Sequence, residues 1–153
     1  MVVQPIPEGY HSITPCLSFV DSAQAIAFYE KAFGAVEKFR FAMPNGKISY
    51  AEMIIGDSSV MLGDENPEMG NKSPKTLGGS PMALYLYIKD IDQVVAQAVK
   101  EGAVLRQPIE NKFYGDRVGV VEDPFGYSWY LATHVEDVSP EEMGKRAQKF
   151  YKG

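Results

Sequence analysis

The sequence predicts an α+β protein of two consecutive βαβββ modules, and two observations carry that prediction. The chain repeats itself: LSFVDSAQAIAFYEKAFGA, from Leu17 to Ala35, is echoed by LYLYIKDIDQVVAQAVKEGA, from Leu84 to Ala103. The segments C-terminal to the two copies repeat as well. KISYAEMIIGDSSVML and RVGVVEDPFGYSWYLA are each two strand-like runs about a glycine-containing turn, and they close on Val60-Met61-Leu62 and Trp129-Tyr130-Leu131.

Each element has its own local signal. In both copies a short apolar strand runs into Asp-x-x-Gln, Asp21 with Gln24 and Asp90 with Gln93. An aspartate at the N-cap accepts the orphan N–H groups of a helix's first turn, and a glutamine three residues on suits a capping box. Apolar residues then recur at helical spacing: Ile26, Tyr29 and Phe33 in the first copy, Ile91, Val94, Val95, Ala98 and Val99 in the second. Gly34-Ala35 and Gly102-Ala103 end the helices, glycine suiting the left-handed closing residue. The strand pairs hinge at Gly56-Asp57 and at Asp123-Pro124-Phe125-Gly126. Residues 65–81, rich in Gly, Pro, Asn and Ser, read as a loop, either a linker or a lid over a ligand. Ser139-Pro140 with Glu142 starts a C-terminal amphipathic helix over 139–151, with Met143, Ala147 and Phe150 on one face. The expected organisation is one domain, 1–153, with module one at 8–64 and module two at 82–136.

Composition narrows the function classes. The chain of 153 residues is 45% hydrophobic and 23% charged, as soluble globular proteins are, with a net charge of −5. It has no basic stripe, so a nucleic-acid partner is not expected. No apolar run approaches the roughly 20 residues that span a bilayer, so neither is a membrane. The opening MVVQPIPEGYH has no basic stretch leading into an apolar one, so no signal peptide is expected and the location reads as cytoplasmic. Cys16 is the only cysteine, which excludes an intrachain disulfide and a multi-thiolate zinc site; in its apolar run it reads as a small buried hydrophobe. Nucleotide-binding glycine motifs are absent.

The elements AIAFYEKAFGA, IGDSSVMLGDE and FYGDRVGVVEDPFGYSWYLATHVEDVSPEEM, with the two-fold repeat, resemble the vicinal oxygen chelate superfamily of glyoxalases, bleomycin- and fosfomycin-resistance proteins and extradiol dioxygenases. Within it, the chain looks like the phosphonate-operon-like or demethylubiquinone-methyltransferase-like branch. The resemblance implies a curved mixed sheet forming an open cup with helices outside, and a homodimer. It also implies metal ligands on the first and last strands of each module. Carried over one by one, these positions fall at Pro15, Met61, Ala83 and Tyr130, none of which suits a divalent ion. Hence no cofactor is expected, although a divalent metal on displaced ligands, His11, Glu52 and His134, is the alternative.

Strand alternation gives the residues lining the cup. They are Tyr50, Glu52, Met61, Tyr85, Tyr87 and Tyr130, with His11 and His134 near the ends. Hydroxyl-tipped rings with one carboxylate suit a flat or partly cationic small-molecule ligand. Buried among apolar neighbours, Glu52 would have a raised pKa and serve as a catalytic general base. Arg117 would hold an anionic end of the ligand, or pair with Glu52 or Asp116. Three functions fit these residues: a small-molecule binder or metal-independent enzyme first, a glyoxalase-type metal-dependent lyase or isomerase second, and a regulatory or structural dimer third.

Overall fold

The computed structural model describes residues 2–153 and divides into two compact units, Met1–Gly79 and Ser80–Gly153. Each unit contains one of the expected βαβββ modules, so the α+β class holds. Among the described residues, no helix is long and apolar enough to cross a membrane.

Module one runs β1 (Cys16–Phe19), α1 (Ser22–Phe33), β2 (Val36–Ala42), β3 (Ile48–Ile55) and β4 (Ser58–Asp64). Its sheet order is β1-β4-β3-β2, with β1 parallel to β4 and the other pairs antiparallel. Asp21 caps α1 by accepting from the Gln24 N–H at 3.2 Å, and Gly34 closes it at φ 70°. The alternation sends Leu17, Phe19, Ala51, Met53, Ile55, Val60 and Leu62 to the α1 side, where they bury with Ala25, Ile26 and Tyr29. Asp64, at the end of β4, accepts from the Ser22 N–H at 2.7 Å and the Ile48 N–H at 3.0 Å, tying the helix start to the sheet.

Between the modules the segment 65–81 is more structured than a plain loop. It holds a 3₁₀ turn at Pro67–Met69 and a short helix α2 (Pro74–Leu77). The Glu65 carboxylate fastens it by accepting from the Ser73 N–H at 2.7 Å and the Thr76 hydroxyl at 2.6 Å.

Module two repeats the plan: β5 (Ala83–Tyr87), α3 (Ile91–Lys100), β6 (Val104–Asn111), β7 (Asp116–Glu122), β8 (Ser128–His134), then α4 (Pro140–Lys152). The sheet order is β5-β8-β7-β6. Ile91, Val95, Ala98, Val121, Trp129 and Leu131 form its core. Here the helix closes differently from expectation: the cap is Glu101 in right-handed geometry, and Gly102 comes next at φ 121°. The DPFGYSW turn is organised by one buried side chain. Asp123 accepts from the N–H groups of Phe125 at 2.9 Å and Tyr127 at 3.0 Å, and from the Trp129 indole at 2.9 Å. In FYGDR, Gly115 sits at φ 102°, and a Cβ there would lie 2.2 Å from the Glu136 carbonyl oxygen. Arg146 docks α4 by donating to Glu136 at 2.7 and 2.9 Å and to the Phe113 carbonyl at 3.2 Å.

Candidate functional site

The face of each sheet turned away from its helix carries the polar chemistry. In module one the register aligns Cys16, Met61, Glu52 and Phe39 in one row across β1, β4, β3 and β2. Cys16 is therefore an exposed free thiol on this open face, a correction to its reading as buried: in CLSF the parity buries Leu17 and Phe19 instead. The β2–β3 ladder slips between Glu37 and Phe39, which makes Lys38 a bulge residue. A bulge re-aims side chains, and here both Lys38 and Phe39 serve the Glu52 side of the sheet.

Glu52 is 1% exposed yet surrounded by donors. The Tyr10 hydroxyl and the Lys38 ammonium (3.1 Å) donate to Oε1, and the Tyr50 hydroxyl donates to Oε2 at 3.0 Å. Lys38 also donates to the Tyr10 oxygen at 3.0 Å and lies 4.6 Å from the Tyr10 ring centre. Desolvation alone would raise the Glu52 pKa, but the three hydrogen bonds outweigh it and hold the carboxyl below its ordinary range. This reverses the expectation of a raised pKa, because the neighbours are donors rather than apolar groups. Burial and the bond to Glu52 push Tyr50 up to about 12.

Around this cluster lies a cleft of about 540 Å³. The irregular N-terminal segment supplies one wall, through Ile6, Pro7, Tyr10 and His11, and the sheet supplies Phe39, Tyr50, Glu52 and Met61. Thus four residues named from the sequence, His11, Tyr50, Glu52 and Met61, meet in one place. Tyr10, Lys38 and Phe39 are additions from the structure. Tyr10 and His11 both precede β1, so strand parity governs neither, although the cleft takes both; Lys38 and Phe39 are displaced in phase by the bulge.

Module two gathers a second cluster on its open face. Asp116, 4% exposed, accepts through Oδ2 from Tyr85 at 2.9 Å and Tyr87 at 2.8 Å, and its Oδ1 lies 2.8 Å from His134 Nδ1. His134 Nε2 lies 2.8 Å from Asp137, so the imidazole is held between two carboxylates and its pKa is raised, by Asp116 first and Asp137 second. Burial would raise Asp116, but bonds from His134, Tyr87 and Tyr85 hold it below the ordinary range. Tyr130 stacks on Tyr85 with centroids 5.9 Å apart. Arg117 lies on the opposite face, where it grips Asp92 of α3 at 2.8 and 2.9 Å and Asn111 at 3.1 Å. Its partner is thus neither Glu52 nor Asp116.

The two carboxylates occupy different points of the repeat. Cys16–Met61 corresponds to Tyr85–Tyr130, so Val120, paired with Tyr130, stands where module one has Glu52. The same correspondence matches Pro15 with Leu84 and Ala83 with Thr14. The residues at the positions implied for metal ligands offer a saturated pyrrolidine ring, a thioether, a methyl group and a phenol, which do not make a donor set for a divalent ion. The displaced set fares no better: both oxygens of Glu52 and both nitrogens of His134 already have protein partners. Among the described residues, no group of three or more His, Cys, Asp or Glu side chains is placed to hold a metal.

Comparison with known proteins agrees with this architecture. The sequence pattern of the Glyoxalase/Bleomycin resistance protein/Dioxygenase superfamily matches residues 13–131. The uncharacterized protein Mb0911c of Mycobacterium bovis is 42% identical over 135 residues, covering 86% of this chain and 89% of that protein. The crystal structure of the At5g48480 gene product from Arabidopsis thaliana superposes with a TM-score of 0.64 at 28% identity, over 80% of this chain and 98% of that one. A Bacillus cereus structure described as a putative 3-demethylubiquinone-9 3-methyltransferase, PhnB protein, shares the fold with a TM-score of 0.62 at 20% identity, over 80% and 99% of the two chains. The chain belongs to the glyoxalase/bleomycin resistance protein/dioxygenase superfamily.

Proposed function

We propose that this protein binds a flat organic molecule in the cleft of its first module, and does so without a metal ion. The observation that carries the reading is the cleft itself. About 540 Å³ is within the range of small-molecule pockets, and its wall combines Phe39, Tyr50, Met61 and Ile6 with one buried polar cluster. Rings and a polarizable thioether favour an aromatic guest, and the cluster supplies orientation.

The state of Glu52 bears on whether the protein catalyses or sequesters. A carboxylate held charged by three donors is a weak base, so the arrangement favours binding over proton abstraction. The donor chemistry at Pro15, Met61, Ala83 and Tyr130 supports metal independence. A thermal-shift screen of chelator-treated protein with flat aromatic compounds tests this, since a ligand of the folded state raises apparent stability by mass action. Hits whose contacts map to Tyr10, Phe39, Tyr50 and Met61 are the expected result. Stabilisation seen only when a divalent metal is added back would contradict it.

A further inference from the structure

We infer that the polar floor of the cleft in module one accepts hydrogen bonds and donates none, so that its ligand is a neutral aromatic molecule presenting an O–H or N–H group. The inference rests on the cleft reading above and adds the chemical class of the guest. Each tyrosine hydroxyl owns one proton. The protons of Tyr10 and Tyr50 are both spent on Glu52, to Oε1 and Oε2 respectively. What these phenols can turn toward a ligand is oxygen lone pairs. Tyr10 also accepts from Lys38, which leaves it one lone pair, and Tyr50 keeps its acceptor capacity. An ionised carboxylate is itself acceptor-only, so the three groups agree in polarity.

The charge balance sets the second half of the class. Lys38 lies 3.1 Å from Glu52 and neutralises it, and the ammonium does not line the cleft. A cationic guest would have to compete with Lys38 for a carboxylate whose oxygens are taken, while an anion would meet lone pairs. An uncharged donor on an aromatic frame fits both the rings and the floor. His11, Ser12 and Thr14 also line the cleft, and hydroxyls and imidazoles adapt to either polarity, so the discrimination falls to the Tyr10–Glu52–Tyr50 group.

The test is a fluorescence titration of the full chain, in chelator, with hydroxypyrene and with its methyl ether. The pair differs in one donor hydrogen. Hydroxypyrene is expected to bind about tenfold tighter, the scale of one well-made hydrogen bond. In Glu52→Gln the amide N–H₂ donates to one tyrosine oxygen, that phenol turns its own proton to the cleft, and the preference shrinks toward one. In Tyr50→Phe the Oε2 of Glu52 is uncovered as an acceptor, and the preference persists. Equal affinities in the parent overturn the inference and leave the cleft reading standing. Failure of both probes to bind overturns both. A preference unchanged in Glu52→Gln, or reversed in Tyr50→Phe, overturns the assignment of polarity to the carboxylate. Where Glu52→Gln does not fold, the parent and Tyr50→Phe ratios decide.

Discussion

The hydroxyl of Tyr10 donates to the carboxylate of Glu52, 42 positions away along the chain. That bond ties an N-terminal segment without regular structure to the middle of the β3 strand. It also seals a charged group that would otherwise face the cleft with one donor fewer. Losing a donor to a buried charge costs about 1–3 kcal/mol. Tyr10→Phe is therefore expected to lower unfolding free energy by roughly that amount in urea titration, and to speed amide exchange in residues 5–14 more than in α1. A stability within error of the parent would mean that the segment is held by its other contacts.

The second cluster makes a pH-dependent prediction. The His134 pKa is raised by Asp116 and Asp137, so the stabilisation it brings is complete below the ordinary imidazole value and is lost as pH rises through the raised folded value. The Asp116 carboxyl is held low, so its contribution is present above the ordinary carboxylate value and is lost as pH falls through the lowered one. Stability from this pair is thus greatest in the mildly acid range between those limits. NMR titration of His134 is expected to show a midpoint above an unperturbed histidine, and Asp116→Asn should bring it down. A midpoint that does not move in Asp116→Asn would assign the shift to Asp137 alone.

Asp123 is the buried organiser of the turn between β7 and β8. Asp123→Ala strands two backbone N–H groups and the indole N–H of Trp129. The expected destabilisation is on the order of 3 kcal/mol, from several buried donors left without acceptors. Trp129 is the only tryptophan, so its fluorescence reports the turn directly. A loss below about 1 kcal/mol, the net worth of a single hydrogen bond, would show that water replaces the carboxylate.

Much of this is legible in the sequence because local rules and tertiary structure agree. Asp21, Asp90 and Ser139 each cap a helix as their spacing predicts, and strand parity places Tyr50, Glu52, Met61, Tyr85, Tyr87, Tyr130 and His134 on open faces. The features that the sequence hides have identifiable physical causes. Period-two alternation is a property of unbroken strands, and the bulge at Lys38 shifts the phase of β2 by one residue. Tyr10 lies before the first strand, where no periodicity applies. The direction of the Glu52 shift depends on whether donors surround it, which burial alone does not disclose. Arg117 alternates with Asp116 along β7, so its own parity sends it to Asp92 on the helix side.

The most direct measurement is the binding isotherm of a thermal-shift hit on chelator-treated protein, taken for the parent and for Met61→Trp. Met61 stands beside Glu52 in the register and lines the cleft, so an indole there fills the space a ligand needs. Metal-independent binding in this cleft predicts an affinity unchanged by chelation and weakened by roughly tenfold or more, at least about 1.4 kcal/mol, in Met61→Trp. Binding that vanishes with the chelator and returns with zinc, or that is indifferent to Met61→Trp in a variant with parental far-ultraviolet dichroism and a parental unfolding midpoint, would contradict the account.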